Sequence, residues 1–404
     1  MQERFHQAAF WLMLGSATAV VVSIAVCQIL LGLALIALVW SGARLRFPPL
    51  KAPLACFLGW TVISLLASPD PAAGLPQIRK FFVFTVLLVA ASVLREAGHV
   101  RWLVGAWSLA AGLSALRSLV QFSQKLEGAR ARGEDFYQFY VGERITGFLS
   151  HWMTFSGVGM LVLLVLLSYL FFQTGVSRRL RFLGWLCAAV VASSLLISFT
   201  RGIWLASAAA GAYLVGRWRK KWLLAAPLAL AAAVAAAPAA IRTRVESIWR
   251  PRAETSSGAR IIMWRTGGRM IRARPLAGVG PERVGPEFRR YVPADVEQLP
   301  EAFYGHLHNL YIHYAAERGL PALLALLWLL GRILGDHWRA LAAASPENRF
   351  ILQAVVAACI AVLVGGLFEV NLGDSEVLTM FLTLVGLGYS ALERQAGGQA
   401  WGKA

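Results

Sequence analysis

The sequence is poor in charged residues, and its acidic residues are fewer than its basic ones. Only 15% of its 404 residues are charged, with 21 acids against 39 Lys and Arg, while 58% are hydrophobic. Soluble domains usually carry about 25% charged residues. The mean hydropathy of +0.60 therefore predicts a protein whose main solvent is lipid. The net charge of +18 does not indicate a nucleic-acid partner, because the basic residues lie mostly in short breaks between apolar runs.

The features that disulfide, metal and nucleotide sites need are also missing. The four cysteines all lie inside apolar runs without paired spacing. No glycine loop follows a strand pattern, and no Asp-x-Asp pair offers ligands to Mg²⁺. A metal-dependent enzyme that uses nucleotide sugars is therefore disfavoured, and we expect no cofactor and no metal. A cleavable signal peptide is not expected either, because the apolar stretch 8–40 is longer than a signal-peptide core.

Long apolar runs, in contrast, fill most of the chain. A transmembrane helix needs about 20 mostly apolar residues. Residues 8–40 fit two short helices joined by a hairpin near residues 22–28. Further candidate spans lie at about 52–67, 78–94, 100–122, 150–173, 182–199, 202–216, 221–240, 308–331, 350–370 and 375–393. The sequence thus predicts an all-α polytopic membrane protein with about twelve transmembrane helices.

Charge in the connecting loops predicts the orientation. Alternate loops are rich in Lys and Arg, at 44–51, 95–101, 178–181, 217–221, 332–349 and in the C-terminal tail. The opposite short loops, 68–71 and 371–374, contain neither residue, so the positive-inside rule places both termini in the cytoplasm. The predicted organisation is residues 1–240 with nine helices and a smaller exported loop at about 123–149, a long exported loop at 241–307, and residues 308–404 with three helices and a cytoplasmic tail.

The long exported loop runs against this charge trend, since it contains twelve Arg, seven acids and no Lys. An anionic ligand would explain positive charge on the exported side. Residues 257–272 fit an amphipathic helix with Arg265, Arg269 and Arg272 on one face, a pattern that also suits a solvated stripe. Arg260 projects among the apolar residues of this helix and is the stronger candidate to bind an anion.

Arg201 is a second unusual cation, because it lies at the outer junction of two predicted spans. A charge close to the membrane is costly unless its side chain reaches the headgroups or serves a function. Arg201 is therefore either a snorkelling side chain or a fixed cation at the mouth of an external cavity. The neighbouring Gly202 would allow a backbone or ligand to approach closely.

The segment 306–322 contains three histidines. His306 and His313 share one helical face with Glu317, whereas His308 lies on nearly the opposite face, so a zinc site built from His306 and His308 is disfavoured. His308 is either an interfacial histidine satisfied by a backbone carbonyl or a general base, since imidazole accepts a hydroxyl proton near neutral pH.

At these residues the chain resembles the O-antigen ligase family, which shares its membrane domain with O-antigen polymerases and bacterial protein O-oligosaccharyltransferases. Arg201 and Leu205 match an Arg-x3-Leu pattern. His308, Asn309 and Gly319 match His-[Asn/Ser/Gln]-x9-Gly-x-x-[Gly/Thr/Tyr], although Ala322 departs from its last position. The Ser-Gly-x-Arg-x3-Trp stretch at 257–264 and the Pro-Leu-x-Gly-Val-Gly turn at 275–280 also resemble the long periplasmic loop of this family.

The resemblance implies an inverting glycosyltransferase of the GT-C type in the bacterial inner membrane, working without metal at the periplasmic face among membrane lipids. We expect the protein to be a monomer. Its donor would be a polysaccharide on undecaprenyl diphosphate, and its acceptor a sugar of the lipid A–core. His308 would be the catalytic base, and Arg201 and Arg260, helped by Arg265, would bind the diphosphate. We name His306 and Asn309 as supporting residues.

Two alternatives remain open at this point. A polymerase or a protein O-oligosaccharyltransferase would use the same donor and the same site. A transporter or flippase is disfavoured, because transporters place ionisable groups near the bilayer midplane, often in inverted repeats, whereas these residues gather at one interface and no repeat is present.

Overall fold

The computed structural model describes residues 1–225, 256–299 and 304–397, together with the isolated positions 235, 242, 243 and 245. Within these ranges the protein is helical and contains no strand, which confirms the all-α prediction. The α-helices are α1 Gln2–Ala19, α2 Ile24–Trp40, α3 Lys51–Leu66, α4 Pro71–Arg79, α5 Thr85–Val93, α6 Ala97–Arg132, α7 Phe136–Gly142, α8 Trp152–Phe172, α9 Arg178–Ile197, α10 Arg201–Trp218, α11 Ser256–Ala273, α12 Val284–Tyr291, α13 Leu310–Arg318, α14 Leu320–Ala340, α15 Pro346–Gly365 and α16 Ser375–Gln395. Short 3₁₀ segments lie at Lys80–Phe84, Leu341–Ala343 and Asn371–Gly373.

Seven helical segments of the described chain are long and apolar enough to cross a membrane, in agreement with a polytopic membrane protein. They are Pro71–Val93, Ala97–Arg132, Trp152–Phe172, Arg178–Ile197, Leu320–Ala343, Pro346–Gly365 and Ser375–Gln395. Helices α2 and α3 are apolar but shorter. The predicted span at 221–240, the first part of the long loop at 241–255 and the tail at 398–404 lie almost wholly outside the described residues.

The predicted N-terminal hairpin is present, but its turn lies at residues 20–23 and not near residues 22–28. Ser23 caps α2 through its side chain, which accepts a hydrogen bond from the backbone of Val26. The two helices are joined near the turn by the Ser16 hydroxyl, which donates to the carbonyl of Cys27 at 2.8 Å. A short helical hairpin thus accounts for an apolar stretch too long for one span.

The predicted span at 308–331 is wrong, because the structure breaks it at Gly319. This glycine has a φ of 87°, and a Cβ there would overlap the carbonyl of Leu276. The backbone N–H of Leu320 donates to the carbonyl of Pro275 at 2.8 Å. The membrane-crossing segment therefore begins only at Leu320, and α13 belongs to the structure formed by the long loop.

The smaller loop is also shorter than predicted, because α6 continues to Arg132. Its 36 residues are far longer than the roughly 20 that cross a bilayer, so the helix projects beyond the apolar layer. Gly133, with a φ of 68°, ends the helix in the left-handed conformation. Helix α7 then packs back on the bundle, where the Tyr140 hydroxyl donates to the carbonyl of Ile197 at 2.6 Å.

The described part of the long loop folds with α13 into one unit, called the loop domain here (residues 256–299 and 304–318). Its small apolar core is separate from that of the membrane helices and comprises Ala259, Met263, Met270, Val279, Val284, Phe288, Leu307 and Ala316. Met263 and Met270 are buried, whereas Arg265, Arg269 and Arg272 are exposed. This arrangement confirms the predicted amphipathic helix at 257–272.

The loop domain rests on one end of the helix bundle, and this contact positions the site. The Trp60 indole donates to the carbonyl of Leu276 at 2.9 Å, and the Ser64 hydroxyl donates to that of Ala277 at 2.6 Å. Helices α8, α15 and α16 form the centre of the bundle, since most of their residues are buried. The loop between α15 and α16, residues 366–374, therefore lies at the end of the bundle, close to its central axis.

Candidate active site

Asn309 fixes the backbone at the start of α13. Its side-chain oxygen accepts hydrogen bonds from the backbone of Tyr311 and Ile312 at 3.0 and 2.9 Å, which is a typical N-cap. Its amide nitrogen donates to the carbonyl of Leu367 at 3.0 Å. Asn309 thus links the loop domain to the 366–374 loop, which explains physically why an amide follows the histidine.

His308, directly before this cap, has a strained backbone. Its φ of 45° lies in the left-handed region, which a residue with a Cβ rarely adopts. Such strain persists only where the surroundings hold it, and it is often found at functional sites. Here the Asn309 cap on one side and a hydrogen-bond partner of the imidazole on the other hold His308 in place.

That partner is Glu369, whose Oε2 lies 2.8 Å from Nδ1 of His308. A carboxylate can only accept, so Nδ1 carries the proton and donates it to Glu369. The second ring nitrogen, Nε2, then keeps its lone pair. A carboxylate placed in this way orients the imidazole and stabilises the imidazolium that forms when Nε2 takes up a proton.

Arg260 contacts the other oxygen of the same carboxylate, so Glu369 bridges Arg260 and His308. The Glu369 side chain is only 9% exposed, and that of Arg260 is 20% exposed. Burial by itself raises the pKa of the Glu369 carboxyl, but Arg260 and the hydrogen bond from His308 outweigh burial and hold its pKa below the usual value. Glu369 is therefore ionised at neutral pH.

Arg201 begins α10 beside the same loop. A Cβ at Gly202 would lie only 2.8 Å from the Cβ of Phe368, the residue before Glu369. The predicted close approach at Gly202 thus occurs, and the neighbour is the backbone segment that carries Glu369. Arg201 itself is half-buried, at the end of the bundle that meets the loop domain.

Arg265, the third predicted diphosphate ligand, lies on the exposed face of α11. Its guanidinium pairs with Asp295 at 2.6 Å, and 47% of its side chain is exposed. The structure therefore brings Arg260 and His308 together at Glu369, while Arg265 takes part in a surface ion pair.

His306 lies against His308, with 4.2 Å between the ring centroids, and 6.4 Å from the ring of His313. Burial, followed by the neighbouring His308 and His313, lowers the pKa of His306 to about 3. This imidazole is therefore uncharged at neutral pH and can act as a hydrogen-bonding group. The part of the chain that the structure describes contains no group of three His, Cys, Asp or Glu side chains arranged to hold a metal ion.

A cavity of about 430 Å³ lies between the loop domain and the bundle, beside this cluster. Ligand sites commonly have volumes of about 300–1,000 Å³. Its lining comprises Gln77, Lys80, His151, Met153, Gly157, Ile203, Glu282, Gly285, Pro286, Gly305, His306, His313, Glu317, Glu369, Val370, Asn371, Gly373, Asp374 and Val377. Six separate segments of the chain contribute to this wall, so the cavity exists only in the folded protein.

Glu369 was not predicted as a site residue, because the apolar run that contains α15 was expected to continue to residue 370. The structure ends α15 at Gly365 and uses Gly366 as its C-cap. The signal was present in the sequence as a glycine pair followed closely by an acid. Hydropathy alone could not show that this acid belongs to the loop.

A family model described as O-antigen ligase matches residues 186–327. The matched segment contains every site residue predicted from the sequence, namely Arg201, Arg260, Arg265, His306, His308 and Asn309, whereas Glu369 lies outside it. The match confirms the resemblance to the O-antigen ligase family over this segment. No curated protein matches the chain.

Proposed function

We propose that this protein is an O-antigen ligase, because residues 186–327 match a family model with that description. It transfers a polysaccharide from undecaprenyl diphosphate to a sugar of the lipid A–core, at the periplasmic face of the bacterial inner membrane. We also propose that the enzyme is a monomer with the GT-C architecture, twelve transmembrane helices and both termini in the cytoplasm. The observation that carries the chemistry is the Arg260–Glu369–His308 cluster.

In the proposed reaction His308 is the general base. The acceptor hydroxyl gives its proton to Nε2 of His308 while its oxygen forms a bond to the anomeric carbon of the donor. The bond from that carbon to the diphosphate oxygen breaks, and its electron pair leaves with the diphosphate. A single displacement of this kind inverts the anomeric configuration. Glu369 stabilises the imidazolium through the hydrogen bond from Nδ1.

Arg260 and Arg201 stabilise the negative charge that develops on the leaving diphosphate. One terminal nitrogen of Arg260 contacts Glu369, so the rest of its planar fork can donate to phosphate oxygens. Fixed cations aimed at developing charge need no divalent metal and can supply a large part of catalysis. Arg265 contributes the smallest share, because it is exposed and paired with Asp295.

The polarity of the cluster supports this assignment of roles. A base needs an acidic partner, and a diphosphate needs guanidinium N–H donors. Glu369 has one oxygen on His308 and the other on Arg260, so a single carboxylate separates the base from the cation. The attacking hydroxyl and the leaving diphosphate can then approach the anomeric carbon from opposite sides.

The test is lipopolysaccharide gel analysis of a deletion strain complemented with wild-type protein or with His308→Ala. We expect the deletion strain to make core without long-chain polymer and to accumulate lipid-linked polymer. Wild-type protein restores ligation, whereas His308→Ala does not, although its amount in the membrane fraction is unchanged. Normal ligation by His308→Ala would refute the base assignment.

Two outcomes would change the proposed function itself. A single repeat attached to core in the deletion strain would identify a polymerase, and loss of glycosylated protein with intact lipopolysaccharide would identify a protein O-oligosaccharyltransferase. Transfer by the purified enzyme in excess chelator tests the metal-independent mechanism. Activity that chelator abolishes and a divalent ion restores would contradict it.

A further inference from the structure

The cavity beside the cluster contains polar groups that the proposed chemistry does not use. His313 is 8% exposed, and its Nδ1 is buried with no hydrogen-bond partner among the described residues. An unsatisfied buried polar atom is costly, and His313 lines the cavity, so a bound ligand could supply the missing partner. The Nε2 atom of His313 lies 3.7 Å from the carboxylate of Glu317.

His151 and Asp374 face the same cavity from the bundle. Nδ1 of His151 accepts a hydrogen bond from the backbone of Met153 at 3.2 Å, so its proton is on Nε2. Asp374 accepts from the Thr154 hydroxyl at 2.9 Å through one oxygen, which leaves the other oxygen available as an acceptor. The wall thus presents a donor, an acceptor and an unsatisfied imidazole nitrogen from three different elements.

The charges of the lining are unfavourable for phosphate. Lys80 is the one Lys or Arg among the described lining residues, and its ammonium already donates to the carbonyl of Gly373 at 3.0 Å. The acids of the lining are Glu282, Glu317, Glu369 and Asp374. Arg260 and Arg318, which are not lining residues, pair with two of these carboxylates. The other charged lining residues, Lys80, Glu282 and Asp374, have a formal net negative charge, which does not attract a diphosphate. We therefore assign the donor's diphosphate to Arg260 and Arg201, neither of which lines the cavity.

The histidines of the wall are suited to hydroxyl groups. Burial lowers the pKa of both His151 and His313, so each is uncharged at neutral pH. A neutral imidazole offers one donor and one acceptor, which matches the hydroxyl groups of a sugar. The cavity volume of about 430 Å³ lies in the range of small-molecule sites, about 300–1,000 Å³, and is enough for a sugar ring.

We propose that this cavity binds an uncharged sugar ring of the acceptor, with His313, His151 and Asp374 as the residues that select it. The inference rests on the proposed function, because the acceptor hydroxyl must reach His308 while the diphosphate remains at the arginines. Glu369 and His306 belong both to the cavity wall and to the cluster around His308, so a ring held there lies next to the base. The three selecting residues act on acceptor affinity and take no part in the proton transfer.

The first experiment measures transfer in proteoliposomes, with lipid-linked polysaccharide fixed and purified lipid A–core varied, and then the reverse. We expect His313→Ala and Asp374→Asn each to raise the acceptor KM about three- to tenfold, the cost of one lost hydrogen bond. The kcat and the donor KM should stay within about twofold of wild type. The matched controls are His99→Ala and Asp135→Asn, at residues that do not line the cavity. We expect both variants to keep the wild-type KM for the donor and for the acceptor.

The second experiment measures binding without transfer. Deacylated core oligosaccharide is added to the detergent-solubilised protein and observed by saturation-transfer NMR. Wild type should bind, His313→Ala should bind more weakly, and His313→Gln should recover part of the affinity, because the amide restores a donor and an acceptor. Partial recovery by His313→Gln separates lost recognition from a folding defect in His313→Ala.

The outcomes distinguish the two proposals. Wild-type affinity in both His313→Ala and Asp374→Asn would overturn the acceptor site, and so would a rise in the donor KM in place of the acceptor KM. Wild-type protein that binds the oligosaccharide but never transfers polymer to lipid A–core would refute the ligase function and support the sugar site.

Discussion

His308 and Glu369 lie 61 positions apart in the chain, and Nδ1 of the histidine is 2.8 Å from Oε2 of the glutamate. The two residues come from different sides of the site, one from the loop domain and one from the loop between α15 and α16. Their contact fixes which imidazole nitrogen carries the proton. It also holds a backbone with a φ of 45°, a strain that costs about 1–3 kcal/mol. The pair is thus a structural device for presenting one basic nitrogen.

Glu369→Gln is expected to abolish most of the transfer activity. The amide nitrogen of glutamine can donate to Nδ1, which moves the imidazole proton to Nε2 and removes the base. General acid–base catalysis contributes about 10²- to 10⁴-fold to rates, so we expect a loss of kcat in that range. The rate of transfer to lipid A–core in proteoliposomes measures it.

The control for this substitution is Glu143→Gln, on an exposed side chain that pairs with Lys125. Its rate should stay within about twofold of wild type, as for most surface changes. Glu369→Gln with wild-type kcat would show that the carboxylate does not orient the base.

The three arginines predicted to bind diphosphate should differ in importance. Arg201→Lys and Arg260→Lys keep the charge but lose the planar fork, and we expect each to lower kcat about 10²- to 10³-fold, as for loss of one charge-stabilising donor. Arg265→Lys should lower it less than about fivefold, because the residue is exposed and paired with Asp295. Single-turnover rates with radiolabelled donor measure all three. Equal losses would place Arg265 in the site.

Gly319→Ala should disrupt the joint between the loop domain and α14. The φ of 87° is unfavourable for alanine, and its Cβ would overlap the carbonyl of Leu276. We expect the free energy of unfolding to fall by about 1–3 kcal/mol, which would lower the midpoint of thermal unfolding in detergent. The matched control is Gly331→Ala within α14, where a Cβ meets no atom within 4 Å and alanine favours the helix. An unchanged midpoint for Gly319→Ala would contradict the described joint.

Lowering the pH should reduce the stability of the loop domain, because the fold lowers the pKa of His306. Its pKa is about 3 in the folded protein, against about 6.5 when exposed, so below about pH 6.5 the unfolded state binds more protons. The stabilisation is complete above about pH 6.5 and is lost toward about pH 3, by up to about 1.4 kcal/mol for each pH unit. The groups around the ring are His308, His313, Arg260 and Glu369.

The measurement is the midpoint of thermal unfolding between about pH 7.5 and about pH 4.5, for wild type and His306→Asn. Asparagine does not titrate there, so the difference between the two curves isolates His306. We expect wild type to lose stability faster than the variant as the pH falls. Parallel curves would show that His306 is not kept neutral by the fold.

Most helices could be predicted from the sequence, because an apolar run and its loop charges are local properties. The N-terminal hairpin and the amphipathic α11 followed from length and periodicity, although the turn was predicted near residues 22–28 and lies at 20–23. The break at Gly319 did not, because the run on both sides is apolar and the break is made by contacts with Pro275 and Leu276. The same limit placed Glu369 inside a span.

The sequence by itself determined that the protein is helical and has the apolar composition of a membrane protein. It also identified Arg201, Arg260 and His308 as unusual residues. These properties depend on composition, spacing and short motifs. Only the tertiary structure decided that Glu369 joins Arg260 to His308, that Arg265 faces the surface, and that Lys80 and Asp374 line one cavity. Those relationships depend on how the loop domain packs on the bundle, and contacts between residues 61 or 109 positions apart leave no local pattern in the chain.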